Sequence, residues 1–170
     1  MMTIIELTPR ADGGRGVQSQ SHRTQCWLEG WVEVPGELFA GAPVVRYYSR
    51  AMYYRLLAAE LLPRSLDRVL YLDPDILVIN PVRALYDTDL EGDLMAAATH
   101  TGLLAGITDP VNRLRLENYE AEAYYNSGVL VMDLSAMRRE VRPGDIFDYA
   151  REHADILLMP DQDVLNGLYG

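Results

Sequence analysis

Asp73 and Asp75 flank Pro74 at the end of the apolar run Val69-Leu70-Tyr71-Leu72. Carboxylates one residue apart, where a buried strand leaves its sheet, can share one hard divalent cation. Oxygen donors completed by water suit Mg²⁺ or Mn²⁺ better than softer metals. Such a cation can in turn neutralise a diphosphate. The plain alternative is a tight turn, in which Asp and Pro are common. Aspartyl-phosphate chemistry, with the first Asp as nucleophile, is a competing reading. It wants a small hydroxyl residue two positions past the second Asp, and Leu77 stands there. Neither G-x-G-x-x-G nor G-x-x-x-x-G-K-[ST] occurs, so no glycine-rich phosphate loop is encoded.

Other residues could serve the same chemistry. Asp161-Gln162-Asp163 follows Pro160. Asp161 suits a helix N-cap and Asp163 a helix N-terminus, while amide and carboxylate together also suit a hydroxyl-rich ligand. Asn126-Ser127-Gly128 opens an apolar run and reads either as a turn or as a small corner with one amide toward a polar ligand. Arg55, beside Tyr53 and Tyr54, is either paired with an acid or positioned to clamp a phosphate. His22, His100 and His153 share no metal-ligand spacing; His100, at the end of a strand candidate, is held as a rim residue.

The pattern around these residues is that of an α/β chain. Residues 11–24 are glycine-rich and polar and read as a flexible tail or loop. Trp27–Val34 is a strand candidate closed by Pro35. From Ser49, an N-cap candidate, the stripe Met52, Tyr53, Leu56, Leu57 and Leu61 predicts a helix that Pro63 stops. Arg68–Leu72 is a continuous apolar strand of the kind buried on both faces. Ile76–Ile79 reads as a second extended piece and residues 81–86 as a helical turn. Asp93–Thr99 is a strand, 100–110 a loop and 111–119 a helix. Ser127–Leu134 is a third buried strand, and Pro143–His153 and Gln162–Leu168 are helices. Alternating strands and helices favour a mostly parallel central sheet.

The 170 residues suffice for one domain with a real core. A net charge of −10 without a basic cluster argues against a nucleic-acid surface; an acidic protein that binds an anionic nucleotide needs a cation to do so. Cys26 is the only cysteine, which excludes an intrachain disulfide and fits a reducing, cytoplasmic setting. No apolar stretch reaches spanning length, and Met1 to Arg10 lack signal-peptide features, which leaves only peripheral membrane association for a longer parent protein.

Taken in order, Tyr53-Tyr54-Arg55-Leu56, Tyr71-Leu72-Asp73-Pro74-Asp75, Tyr125-Asn126-Ser127-Gly128-Val129-Leu130 and Asp161-Gln162-Asp163-Val164-Leu165-Asn166 resemble glycosyltransferase family 8. That family includes bacterial lipopolysaccharide galactosyl- and glucosyltransferases, galactinol synthase and glycogenin. The resemblance covers residues 44–170, as a partial catalytic core, and leaves 1–43 poorly matched. It implies a Rossmann-like nucleotide-diphospho-sugar transferase fold of the GT-A type, with Mn²⁺ (or Mg²⁺) as cofactor. It also implies a UDP-hexose donor and transfer, with retention at the anomeric carbon, to a glycan, lipopolysaccharide or polyol hydroxyl.

By the same resemblance Asp73 and Asp75 are the metal pair, and Asp73 also lies near the donor's ribose or sugar. Arg55 reaches the donor sugar and diphosphate. Asn126, Asp161 and Gln162 line the donor sugar, with Gln162 nearest the reacting face. His100 stands where many relatives carry an acidic sugar contact. The family's A-A-D-x-x-Y uridine loop and its His-x-x-G-x-x-K-P segment, with a third metal ligand, have no counterpart here. The expectation is therefore a fragment, incomplete at both ends, with little transfer on its own. The alternative is a non-catalytic or decayed remnant of such a domain. Galactose and glucose donors differ at one hydroxyl stereocentre, so the residues named leave the donor hexose open, as they do the acceptor and the oligomeric state.

Overall fold

The computed structural model describes residues 3–6, 28–32, 34–44, 48–99 and 105–170. Residues 11–24, Cys26, Trp27 and His100 lie outside them. Two short strands, β1 (Thr3–Glu6) and β2 (Leu28–Trp31), pair in parallel. The site is carried by a second sheet, formed by β3 (Arg68–Leu72), β4 (Met95–Thr99) and β5 (Tyr125–Asp133), in the order β3-β5-β4.

β5 runs antiparallel to both neighbours, so the expectation of a mostly parallel sheet is corrected for this part of the fold. β3 and β4 do run in the same direction, since each opposes β5. Strand–helix alternation fixes neither the direction of β5 nor its neighbours, and here the later strand slots between the two earlier ones.

β5 is buried on both faces. Leu130 and Met132 face the main core, while Val131 faces a smaller cluster with Leu70 and Leu90. Val69 and Leu70 of β3 point to opposite sides in the same way, as the continuous apolar run predicts. Ile76–Ile79, expected as a second extended piece, joins no strand ladder among the described residues, and its side chains are exposed.

Most of the helices contribute to the main core on one face of this sheet, while Tyr86 joins the smaller cluster on the other. The segment expected as one helix from Ser49 is instead a 3₁₀ turn (Arg50–Tyr54) that leads into the short helix α1 (Ala58–Leu61). Ser49 makes no side-chain cap. Mixed bonding, Ala58 N–H to Arg55 O and Leu57 N–H to Tyr53 O, tightens the winding. Met52, Tyr53, Leu56, Leu57 and Leu61 are nevertheless buried together, with Phe39, Tyr53 and Phe147 in tilted and edge-on ring contacts. α2 (Arg83–Tyr86) follows, then α3 (Ala105–Arg115), which begins earlier than expected and includes Gly106 and Pro110. Asp109 in α3 accepts the backbone N–H of Tyr124, so the segment read as a loop is tied to the entry of β5.

α4 (Leu134–Glu140) is capped by Asp133, which accepts from the Ala136 N–H. α5 (Pro143–Glu152) and α6 (Pro160–Tyr169) close the core and match the predicted helices closely. They meet at Gly167, where an added Cβ would lie 2.0 Å from the Tyr149 hydroxyl oxygen and 2.3 Å from its Cζ. Tyr149 is held by stacking on His153, with ring centroids 4.0 Å apart, so it cannot swing aside freely. Gly167→Ala should therefore destabilise the fold by about 1–3 kcal/mol through overpacking. Urea denaturation would show it as a lower midpoint at unchanged slope; an unchanged midpoint would mean that the two helices can separate without loss.

Candidate active site

Asp73 follows β3 and is anchored at once, its N–H donating to Gly128 O at 2.8 Å. Ile76 N–H then closes a turn onto Asp73 O. The tight turn expected at Asp73-Pro74-Asp75 is present, with the Asp73 carboxylate turned toward Arg55 and Tyr71. Asp75 is exposed, and the Asp73 side chain is about three-quarters buried.

Arg55 sits opposite. Its Nη2 lies 2.8 Å from Asp73 Oδ1 and its Nη1 3.1 Å from Asp73 Oδ2, a bidentate pair. Its Nε lies 3.1 Å from Asp161 Oδ2, and its Nη1 also donates to Ser127 O and Oγ. The Tyr71 ring lies under the guanidinium at 4.9 Å, and the Tyr71 hydroxyl donates to Asp73 Oδ1 at 2.6 Å. Burial first, and then that hydrogen bond, push the Tyr71 hydroxyl well above the ordinary tyrosine value of 10. It therefore serves as a neutral donor throughout the physiological range.

The corner at Ser127 exists because the β4–β5 register breaks. Ala97 pairs with Leu130 but Ala98 pairs with Asn126, so residues 127–129 of β5 leave β4 in a bulge. Ser127 is thereby freed from that ladder: its N–H donates to Gln162 Oε1 at 3.1 Å and its Oγ to Asp161 Oδ2 at 3.2 Å. Asn126 Oδ1 accepts the Gly128 N–H at 2.8 Å, which leaves its NH₂ end for a ligand. Gly128 has no room for a side chain, since a Cβ there would lie 2.8 Å from Asp73 Oδ2 and 3.0 Å from Asn126 Oδ1.

α6 brings the remaining groups. Asp161, Gln162, Asp163 and Asn166 are all buried, so this helix docks onto the start of β5 through a polar face. Asn166 exchanges hydrogen bonds with the Tyr125 backbone, and its Nδ2 also donates to Gln162 O. The capping role expected of Asp161 is not taken: the N-cap position falls at Met159, which makes no side-chain cap, and the Asp163 carboxylate accepts the N–H groups of Leu158 and Met159 just before the helix. Asp161 is occupied by Arg55 and Ser127. Gln162 is orientated by Ser127, and its Nε2, fully enclosed, has no hydrogen-bond partner. It approaches the Tyr124 hydroxyl closely enough to favour the phenolate slightly, but without hydrogen-bond geometry. A buried amide N–H₂ left unpaired is costly unless a ligand completes it.

Of the residues singled out in the sequence, Arg55, Asp73, Asn126, Asp161 and Gln162 converge on one corner, with Asp75 next to it. Sequence reasoning missed Ser127 as a hub, Tyr71, and the second rank of Asp163, Asn166, Tyr124 and Arg115. Asp163 and Asn166 were legible in principle, as polar residues at helical spacing with Gln162. The donor set of Asp73 and Asp75 is two hard carboxylates, with Asp73 already engaged by Arg55 and Tyr71. It fits a divalent cation shared with water and a diphosphate rather than a cage closed by protein. Among the described residues no three His, Cys, Asp or Glu side chains gather for a metal.

Residues 39–170 match the sequence profile described as glycosyl transferase family 8. The chain belongs to that family. It is 32% identical over 126 residues to a lipopolysaccharide 1,2-glucosyltransferase of Escherichia coli K12, covering 74% of this chain and 36% of the enzyme. It is 28% identical over 142 residues to general stress protein A of Bacillus subtilis, covering 81% of this chain and 47% of that protein. Among solved structures it superposes on the galactosyltransferase LgtC, in complex with donor and acceptor sugar analogues, with a TM-score of 0.70 and 31% identity. That match covers 84% of this chain and 50% of LgtC. The fold is thus of the GT-A type, and this chain spans between about a third and a half of the length of these family 8 relatives.

Gly128→Ala should push Asp73 and Asn126 apart and destabilise the protein by about 1–3 kcal/mol. If the clash with Asp73 is the cause, Asp73→Ala in the same chain should recover part of that loss, a non-additivity that a double-mutant cycle reads directly. Strict additivity would remove the contact from the explanation. Burial holds Tyr53 and Tyr169 up at about 12 and raises Tyr71 and Tyr124 as well, whereas unfolded tyrosines ionise near 10. Above pH 10 the unfolded state therefore binds fewer protons than the folded one, so stability should fall as pH rises from 10 to 12. Thermal melts across that range test this, and a flat profile contradicts it.

Proposed function

We propose that this chain forms the donor-binding core of a retaining hexosyltransferase that takes its sugar from a UDP-hexose and passes it to a hydroxyl of a glycan, lipopolysaccharide or small polyol. The observation that carries the reading is the Arg55 corner. One guanidinium bridges Asp73 and Asp161 beside an enclosed amide, Gln162 Nε2, that has no protein partner. The relatives support the same class: one is named a lipopolysaccharide glucosyltransferase, and another was solved with donor and acceptor sugar analogues.

Asp73 and Asp75 would hold Mn²⁺, or Mg²⁺, which when bound supplies Lewis-acid stabilisation to the departing nucleotide. Arg55 contributes fixed positive charge toward the diphosphate and donor sugar, already desolvated and orientated by its carboxylate partners. Asn126 offers its NH₂ end to sugar hydroxyls, Asp161 accepts from them, and Gln162 is the donor-sugar residue nearest the reacting face. His100 is the proposed rim contact. In the transfer, the bond from the anomeric carbon to the phosphate oxygen breaks. The acceptor hydroxyl bonds to that carbon on the same face, and its proton passes to the departing phosphate. Gln162 is a poor nucleophile, which favours this route over a covalent intermediate on it.

In the full-length protein, Asp75→Ala should lower Mn²⁺-dependent UDP-sugar hydrolysis by about a hundredfold or more while leaving the fold intact. Hydrolysis retained at the wild-type rate would remove the metal role from Asp75. Calorimetric titration of the wild type with UDP should show binding with Mn²⁺ that EDTA abolishes; no binding in either condition would favour the non-catalytic remnant instead.

A further inference from the structure

Asp163 points away from Arg55, yet it is the most completely satisfied polar side chain of α6. Its carboxylate is fully buried. It accepts from Arg115 Nη1 at 2.9 Å and Nη2 at 2.6 Å, from the Tyr124 hydroxyl at 2.6 Å, and from the N–H groups of Leu158 and Met159. Arg115 also donates to Ile156 O at 2.7 Å and to Asn112 Oδ1 at 3.0 Å. The knot therefore joins the end of α3, the approach to α6, the first turn of α6 and the residue before β5. With both oxygens so engaged, Asp163 is not available to attack a substrate.

We propose that Asp163 is a positioning residue for the transfer site, acting through its knot with Arg115 and Tyr124. The inference rests on the reading of the site given under Proposed function. The route is continuous. Tyr124 fixes the entry of β5 against α6, and three residues on, Ser127 orientates the Gln162 amide and the Asp161 carboxylate. Asp161 in turn holds Arg55, and Arg55 holds Asp73. Asp163 is the neighbour of Gln162 in the first turn of α6 and clamps the chain that enters that turn. A slip there would turn the Gln162 side chain, whose Oε1 is held by Ser127 and whose Nε2 lies beside Tyr124, out of its place next to Asp161, while leaving residues remote from α6 where they are. The rate should therefore fall without a matching loss of donor affinity.

The test compares Tyr124→Phe and Asp163→Asn with Ile146→Val, a buried change in α5 that touches none of the knot. In the full-length protein the two knot variants should lower kcat for the transfer or hydrolysis of a UDP-hexose by about tenfold, with donor KM within about twofold. They should also broaden or shift the side-chain amide NMR signals of Gln162. Ile146→Val should lower the melting temperature with neither effect. Knot variants that melt earlier but keep wild-type kcat and wild-type Gln162 signals would overturn the proposal. Should Asp163→Asn not fold, Tyr124→Phe, which removes one hydroxyl, carries the comparison. If the wild type turns over no nucleotide sugar, the proposed activity fails on its own, and the Gln162 signals alone decide the positioning role.

Discussion

Arg55 carries one positive charge between two carboxylates, and much of the site's geometry is set by how it shares that charge. Its forked donors take both oxygens of Asp73, while its third edge takes Asp161. The planar guanidinium reaches both oxygens of one acid, an oxygen of a second and a backbone carbonyl from one position; a lysine ammonium, with three donors, could not supply all four. The Tyr71 ring beneath it and the bulged backbone of β5 above it limit where that plane can lie. The corner is thus held in one geometry by internal ion pairs and a backbone carbonyl, and in the proposed transfer that rigidity would serve as electrostatic preorganisation.

The second constraint is the polar face of α6. Helices usually dock through apolar stripes, whereas this one buries Asp161, Gln162, Asp163 and Asn166 against the first turns of β5. Such a face is stable only if nearly every polar atom is paired, because an orphaned buried group costs about 1–3 kcal/mol. Asp163 and Asn166 meet that condition in full, and Asp161 through Arg55 and Ser127. Gln162 stops one bond short. Three of the four are anchored, and the fourth keeps one enclosed N–H₂ group without a partner.

Much of the frame was legible in the sequence: three strands of the main sheet, α5, α6 and the convergence of Arg55, Asp73, Asn126, Asp161 and Gln162. What was not legible depended on adjacency. That β5 inserts between β3 and β4, and that it runs antiparallel to both, are choices among topologies that the same alternation of strands and helices allows. The bulge at residues 127–129 leaves no local signature beyond Gly128, and it alone turns Ser127 from a strand residue into a hub. Likewise Asp161 looked like the helix cap because it stands first. The helix in fact begins one residue earlier, at Pro160, and Asp161 is taken up by Arg55 and Ser127, both distant in sequence.

The chain separations in the Arg55 corner have a consequence for folding. Its partners lie 18 residues away at Asp73 and 72 away at Ser127, and Asp161 comes from near the other end of the described fold. No local segment contains even half of this cluster, so contact order is high where the chemistry is. A chain whose sheet is only partly assembled has no rudimentary version of the corner. Loop closures on this scale oppose it until β3, β5 and α6 are all docked. Occupancy of the corner and completion of the domain are therefore one equilibrium, and any ligand that binds there draws on the cooperativity of the entire fold.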